Sequence, residues 1–199
     1  NANHFFQRFL SNHDVDRPAT QFESAGPQLS ALLKQAATLV LTMPGMPVIY
    51  YGEEYGKKGK RDKYLGTEPW AHDELIREPM SWYKSLTFVG DKQKSWNIDF
   101  EKSNAANTAL GLSFGVCQAP NPMYPFIKFM TADDPSSYAA QKDDPGSLFR
   151  HYKRLVEIRR ANAVLTDADA QLAVVQNSAD LYEFTASKGT KKLSMVLME

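Results

Sequence analysis

Apolar runs that break off in polar residues, with one long amphipathic stretch between them, organise the first part of the chain. Phe5 to Leu10 is apolar and aromatic, as suits a strand buried in a parallel sheet, and it stops at Ser11-Asn12-His13-Asp14. Asp14 to Gly26 is polar and turn-rich. From Leu29 the apolar positions Leu29, Leu32, Leu33, Ala36, Leu39, Val40 and Met43 recur at helical spacing for about four turns. Pro27 near the start and Pro44-Gly45 past the end punctuate this helix. Pro47 then opens a second strand, Val48 to Tyr51, which Gly52 closes. A strand, a helix of this length and another strand predict one right-handed parallel crossover unit.

Periodicity is weak from Lys57 to Asp143, which holds many turn residues and every tryptophan; it reads as a long loop excursion. A second helix follows, with Asp144 as N-cap and Pro145 at the first helical position. Leu148, Phe149, Tyr152, Leu155, Val156 and Ile158 form its apolar face, while Arg150, Lys153, Arg154, Glu157 and Arg160 point outward. Beyond Asn162 the spacing shortens. Leu172 to Val175, Leu181 to Phe184 and Leu193 to Leu197 are strand candidates divided by the turn-formers Asn177 to Asp180 and Ser187 to Thr190.

Four segments in order carry a resemblance. Asn12-His13-Asp14 is similar to the fourth signature region of α-amylase-type glycoside hydrolases, at the tip of their seventh barrel strand, and Val48 to Glu54 resembles their eighth strand. Arg77-Glu78-Pro79-Met80-Ser81-Trp82 resembles part of the loop after that strand, and Asp144 to Tyr152 the start of the last barrel helix. The fold class implied is α/β: a partial (β/α)8 TIM barrel, strands 7 and 8 with their helices, followed by the start of an antiparallel β-sandwich domain. The expected boundaries are 3–163 for the barrel part, with its loop 57–143 over the barrel mouth, and 164–199 for the β domain. Asn1-Ala2 reads as a cloning scar. The loop is longer than the family usually carries, above all at Asn104 to Pro125.

The resemblance also implies chemistry. Retaining glycosidases work with two carboxylates roughly 5 Å apart, which in this family stand on the fourth and fifth strands, upstream of these segments. The chain is therefore expected to be a fragment of an α-glucan hydrolase, inactive alone, with the parent extracellular or periplasmic. The alternative is a catalytically silent amylase-like barrel serving as a carbohydrate-binding or transport-accessory module. Starch-like α-glucan or maltooligosaccharide is the implied substrate. A partial barrel would expose strand edges, so an oligomer of the fragment is expected.

Charge and cysteine narrow the rest. Lys plus Arg and Asp plus Glu are each 23, leaving no net field for nucleic acid or an anionic membrane. No apolar run approaches the roughly 20 residues of a membrane helix. Cys117 is the single cysteine, so an intrachain disulfide is excluded. No cofactor is expected in this chain; the calcium often found in the family is held largely by parts absent from it.

Asp14 is the first candidate for chemistry: it matches the family's third essential carboxylate, which grips hydroxyls beside the scissile bond without being nucleophile or acid. An ionised carboxylate accepts two charge-assisted hydrogen bonds, and these can strengthen as the ring flattens toward an oxocarbenium ion. The plainer reading is a turn cap or a pair with Arg17. His13 would donate to the same sugar. Arg17 is open between reaching that subsite and holding Asp14. Asp73 and Arg77 have the spacing with which amylases bracket an adjacent sugar, or form an ordinary surface pair. Trp70, Trp82, Tyr83, Phe88 and Trp96 suit sugar faces, or simply the core of their own loop. Glu53 and Glu54, read as neighbours on an extended strand, would face opposite ways and make structural bonds.

Overall fold

The structure is a computed structural model that describes residues 7–43, 45–61, 76, 77, 80, 135–167, 169–178 and 180–198. Asp73, the tryptophans with Tyr83 and Phe88, and the 104–125 segment lie outside the described residues.

Strand β1 (Gln7–Arg8) pairs in parallel with β2 (Met46–Pro47), Gln7 opposite Met46 and Arg8 opposite Pro47. Val48 N–H extends the ladder by donating to Arg8 O at 2.8 Å. The regular pairing thus falls before Val48 to Tyr51 rather than on it. Gly52, at φ 86°, turns the chain there into a 3-10 turn, Glu53–Tyr55. Left-handed backbone needs glycine, and a Cβ at Gly52 would also lie 2.9 Å from Lys57 Cδ. Between the strands run α1 (Pro18–Gln21), a 3-10 turn at Glu23–Gln28 and α2 (Leu29–Thr42).

The helix α2 buries two nearly opposite faces. Leu33, Ala37 and Leu41, spaced four apart, pack on Leu148, Tyr152 and Leu155 of α4 (Leu148–Ala161), with Ala19 beneath. Ala37 is fully buried and lets the two backbones approach. Leu39 and Met43 instead join a second cluster with Val164, Leu165, Phe184, Ala186 and Met195. Leu32 shares that second face yet stays exposed. It lies beside a groove of about 440 Å³ also lined by Leu39, Tyr182 and Leu197.

The start of α4 departs from the Asp144 expectation. Ser147 is the N-cap, its Oγ accepting from Arg150 N–H at 3.2 Å, while Asp144 Oδ1 takes Gly146 N–H at 2.8 Å inside the preceding turn. A serine in extended backbone satisfies one orphan amide of the first turn. Gln141, at the end of the short α3 (Tyr138–Gln141), satisfies another: its Oε1 accepts Phe149 N–H at 3.1 Å. Its Nε2 donates to Tyr55 O at 2.8 Å, tying this corner to the turn after β2. Tyr55, Tyr138 and Phe149 pack their rings there, centroids 5.4 to 6.4 Å apart.

After α4 and a single turn, α5 (Ala163–Thr166), come β3 (Gln171–Asn177), β4 (Leu181–Lys188) and β5 (Lys191–Met198). They form an antiparallel meander in the order β3-β4-β5, with a bulge between Val174 and Gln176. Central β4 turns Phe184 and Ala186 into the second cluster, while every residue of β3 is exposed, Val174 and Val175 included.

Candidate functional site at the strand tips

Both strand segments lead into polar residues on one side of the parallel pair. Beyond β1, Asn12 Oδ1 accepts Asp14 N–H at 2.8 Å. This side-chain turn lifts His13 and Asp14 off the body. Asp14 keeps 56% of its side chain in solvent and His13 60%, open enough to meet a ligand. The Asp14 carboxylate is flanked on both oxygens: His13 Nε2 stands 3.1 Å from Oδ2, and Arg77 Nη2 3.4 Å from Oδ1. Arg77 Nε also donates to His13 O at 3.2 Å. A second loop steadies the same turn, with Arg61 Nη1 donating to Asp14 O and Arg61 N–H to Asp16 Oδ1.

Of the residues expected to meet a sugar, Asp14, His13 and Arg77 converge. Arg77, expected with Asp73 to bracket an adjacent sugar, reaches Asp14 Oδ1 and donates to His13 O. Arg17 goes inward. It is fully buried, donates through Nε and Nη2 to Ile76 O and through Nη1 to Tyr51 O, and lies 4.6 and 5.0 Å from the ring centroids of Tyr50 and Tyr51.

The floor under these groups is a buried carboxylate. Glu53 Oε2 accepts from Ser11 Oγ at 2.8 Å, and Oε1 from Tyr152 Oη at 2.9 Å. One side chain thereby joins the β1 tip, the turn after β2 and helix α4. Structural hydrogen bonds were expected of Glu53, but on an extended strand; the 3-10 turn at Gly52 supplies the geometry instead. Burial pushes the Glu53 and Glu54 carboxyls above the ordinary carboxylate range, Arg17 and, for Glu53, the two hydroxyls offsetting part of it. Burial beside Glu53 also pushes the Tyr152 hydroxyl upward, so it stays a donor.

Sequence patterns missed Glu53's partners and Arg159. The latter is buried and donates through Nη1 to Leu41 O and Met43 O, both at 2.9 Å, and through Nη2 to Gly45 O. It closes the C-terminal end of α2, where carbonyls lack helical partners, and so fixes the approach to β2. For calcium, a hard cation wanting six to eight oxygens, no group of three or more His, Cys, Asp or Glu side chains converges among the described residues. The described residues do not assemble a site that fits the ion.

Comparison with known proteins bears on the family and the fold. The chain is 25% identical over 198 residues to the oligo-1,6-glucosidase of Parageobacillus thermoglucosidasius, covering 94% of this chain and 33% of that protein. It is 30% identical over 151 residues to alpha-amylase 3 of Dictyoglomus thermophilum, covering 76% of this chain and 21% of that protein. The chain thus spans between a fifth and a third of the length of these curated relatives. The crystal structure of an alpha-amylase from H. orenii superposes with a TM-score of 0.62 at 23% identity, over 98% of this chain and 30% of that one. That likeness is one of fold, and it supports a scaffold of the alpha-amylase (β/α)8 type. The alpha amylase catalytic-domain family matches residues 1–110, more than half of the 199, and the chain belongs to the alpha-amylase family of glycoside hydrolases.

Proposed function

We propose that this chain is the substrate-gripping part of a retaining α-glucan hydrolase, acting on α-glucosidic bonds of starch or maltooligosaccharides. In this reading β1 and β2 correspond to barrel strands seven and eight, β3 to β5 begin the all-β domain, and the nucleophile and general acid belong to other segments of the whole protein. Asp14 holds hydroxyls of the sugar beside the scissile bond, His13 donates to the same sugar, and Arg77 extends the contact. Asp73 keeps its proposed place at the adjacent sugar. The observation that carries the reading is the exposed Asp14 carboxylate, with His13 Nε2 3.1 Å from one oxygen and Arg77 Nη2 3.4 Å from the other, within the family match. The Arg77 guanidinium keeps the carboxylate oriented, and hydroxyls that move toward it as the ring flattens gain most in the transition state.

The test is Asp14→Asn in the full-length protein, assayed on a maltooligosaccharide. Kcat should fall by roughly 10²–10³-fold or more, with the melting temperature nearly unchanged because the group is solvated. Near-normal kcat with collapsed stability would make Asp14 structural.

A further inference from the structure

We propose that Arg17 is a positioning residue that sets Arg77 beside Asp14 without itself touching substrate. The inference rests on the sugar-binding reading of Asp14 and Arg77.

Arg17 leaves the loop after β1 with its own N–H fixed to Gly59 O at 2.9 Å, and its side chain then runs into the body, 0% exposed. Two of its N–H groups, on Nε and Nη2, converge on one acceptor, Ile76 O, at 3.2 and 2.8 Å. Nη1 takes Tyr51 O at 2.6 Å. A planar fork that spends two donors on one carbonyl fixes the location of that peptide and the direction it faces. The peptide in question joins Ile76 to Arg77. Holding the Ile76 carbonyl therefore holds the nitrogen of Arg77, and from that fixed root the Arg77 side chain emerges, 46% exposed, to reach Asp14 and His13.

Three features steady this root. The Ile76 side chain is itself fully buried. The rings of Tyr50 and Tyr51 lie within 5.0 Å of the guanidinium carbon, close enough for cation–π attraction to a buried charge. The third is the Tyr51 carbonyl, which anchors the fork to the tip following β2, so the Asp14 loop, that tip and the Arg77 segment are pinned at one point. Lysine would not substitute, because one ammonium on a flexible stem has no planar fork to bridge Ile76 and Tyr51.

The experiment compares the full-length enzyme with Arg17→Lys, Arg77→Ala and the double variant, reading kcat, KM and melting temperature on a maltooligosaccharide. Arg77→Ala is expected to raise KM roughly tenfold or more. Arg17→Lys should raise KM by a similar factor, and the double variant should be no worse than the worse single. Multiplying effects in the double variant, or a normal KM in Arg17→Lys with only a lowered melting temperature, would overturn the proposal. A normal KM in Arg77→Ala would overturn the sugar-binding reading beneath it, and a raised KM in Arg17→Lys alone would then point to Arg17 acting through some other group. Should Arg17→Lys not accumulate folded, Arg17→Gln, whose amide still donates to one carbonyl, is read by the same criteria.

Discussion

Replacing Arg159 by Leu removes a buried cation while keeping most of the aliphatic bulk that packs against α2. Three carbonyls, of Leu41, Met43 and Gly45, lose their donor. Hydrogen bonds to charged groups contribute about 1.5–3 kcal/mol each when one partner is deleted, but two of these share Nη1, and removing Arg159 also relieves its own desolvation, which already lowers its proton affinity. The net loss should be about 3–4 kcal/mol, a large share of the roughly 5–15 kcal/mol of a folded domain. In melting temperature this is on the order of 10 °C. The assay is urea unfolding followed by far-UV circular dichroism, with exposed Arg160→Leu as the control, expected within about 0.5 kcal/mol of the parent. Arg159→Lys should recover less than half of the loss, since a single ammonium reaches fewer of the carbonyls. A loss below about 1 kcal/mol in Arg159→Leu, or one matched by Arg160→Leu, would refute the idea that these bonds hold the end of α2.

Glu53→Gln should change how stability depends on pH. Burial raises the folded-state pKa of Glu53 above the roughly 4.3 of a free glutamate, so the folded form binds its proton more readily; stability from this group is complete below the unfolded value and declines as pH rises through the folded one. The glutamine variant lacks that decline, and equal slopes in both proteins as pH rises above the roughly 4.3 of a free glutamate, measured by denaturant titration, would clear Glu53 as its source. Ser147→Ala should cost about 1 kcal/mol and Asp144→Ala less, read as shifts of the urea midpoint; the reverse order would restore Asp144 as the cap.

What the sequence revealed follows from how local each determinant is. Helix α2 announced itself because Leu29, Leu32, Leu33, Ala36, Leu39, Val40 and Met43 recur at helical spacing and prolines bracket them, although the buried Ala37 and Leu41 fell outside that set. The meander was legible from the turn-formers Asn177 to Asp180 and Ser187 to Thr190. The α4 cap was misread because Asp144, Pro145 and Ser147 are all good start signals, and the choice among them is made by Gln141 taking Phe149 N–H. At the site, Asp14 and His13 stood out through their place in a family-like tip. The buried ends of Arg17, Glu53 and Arg159 were invisible for a common reason: their partners, Ile76, Tyr152 and Leu41, are 59, 99 and 118 positions away, and no periodicity spans such distances. The backbone carbonyls that Arg17 and Arg159 satisfy belong to every residue type, so composition carries no trace of them.

The two-faced burial of α2 has a consequence for modular exchange. Because Leu39 and Met43 pack with Phe184 and Met195 while Leu33 and Leu41 pack with Leu148 and Leu155, the sheet is docked on the same rod that supports the strand tips. A chimera that took its meander from another relative and kept α2 unchanged would graft a foreign surface onto residues shaped for Phe184 and Met195. Successful swaps should therefore carry α2 and α4 along, and sheet-facing substitutions that compensate one another should pair Leu39 or Met43 with positions on β4 and β5.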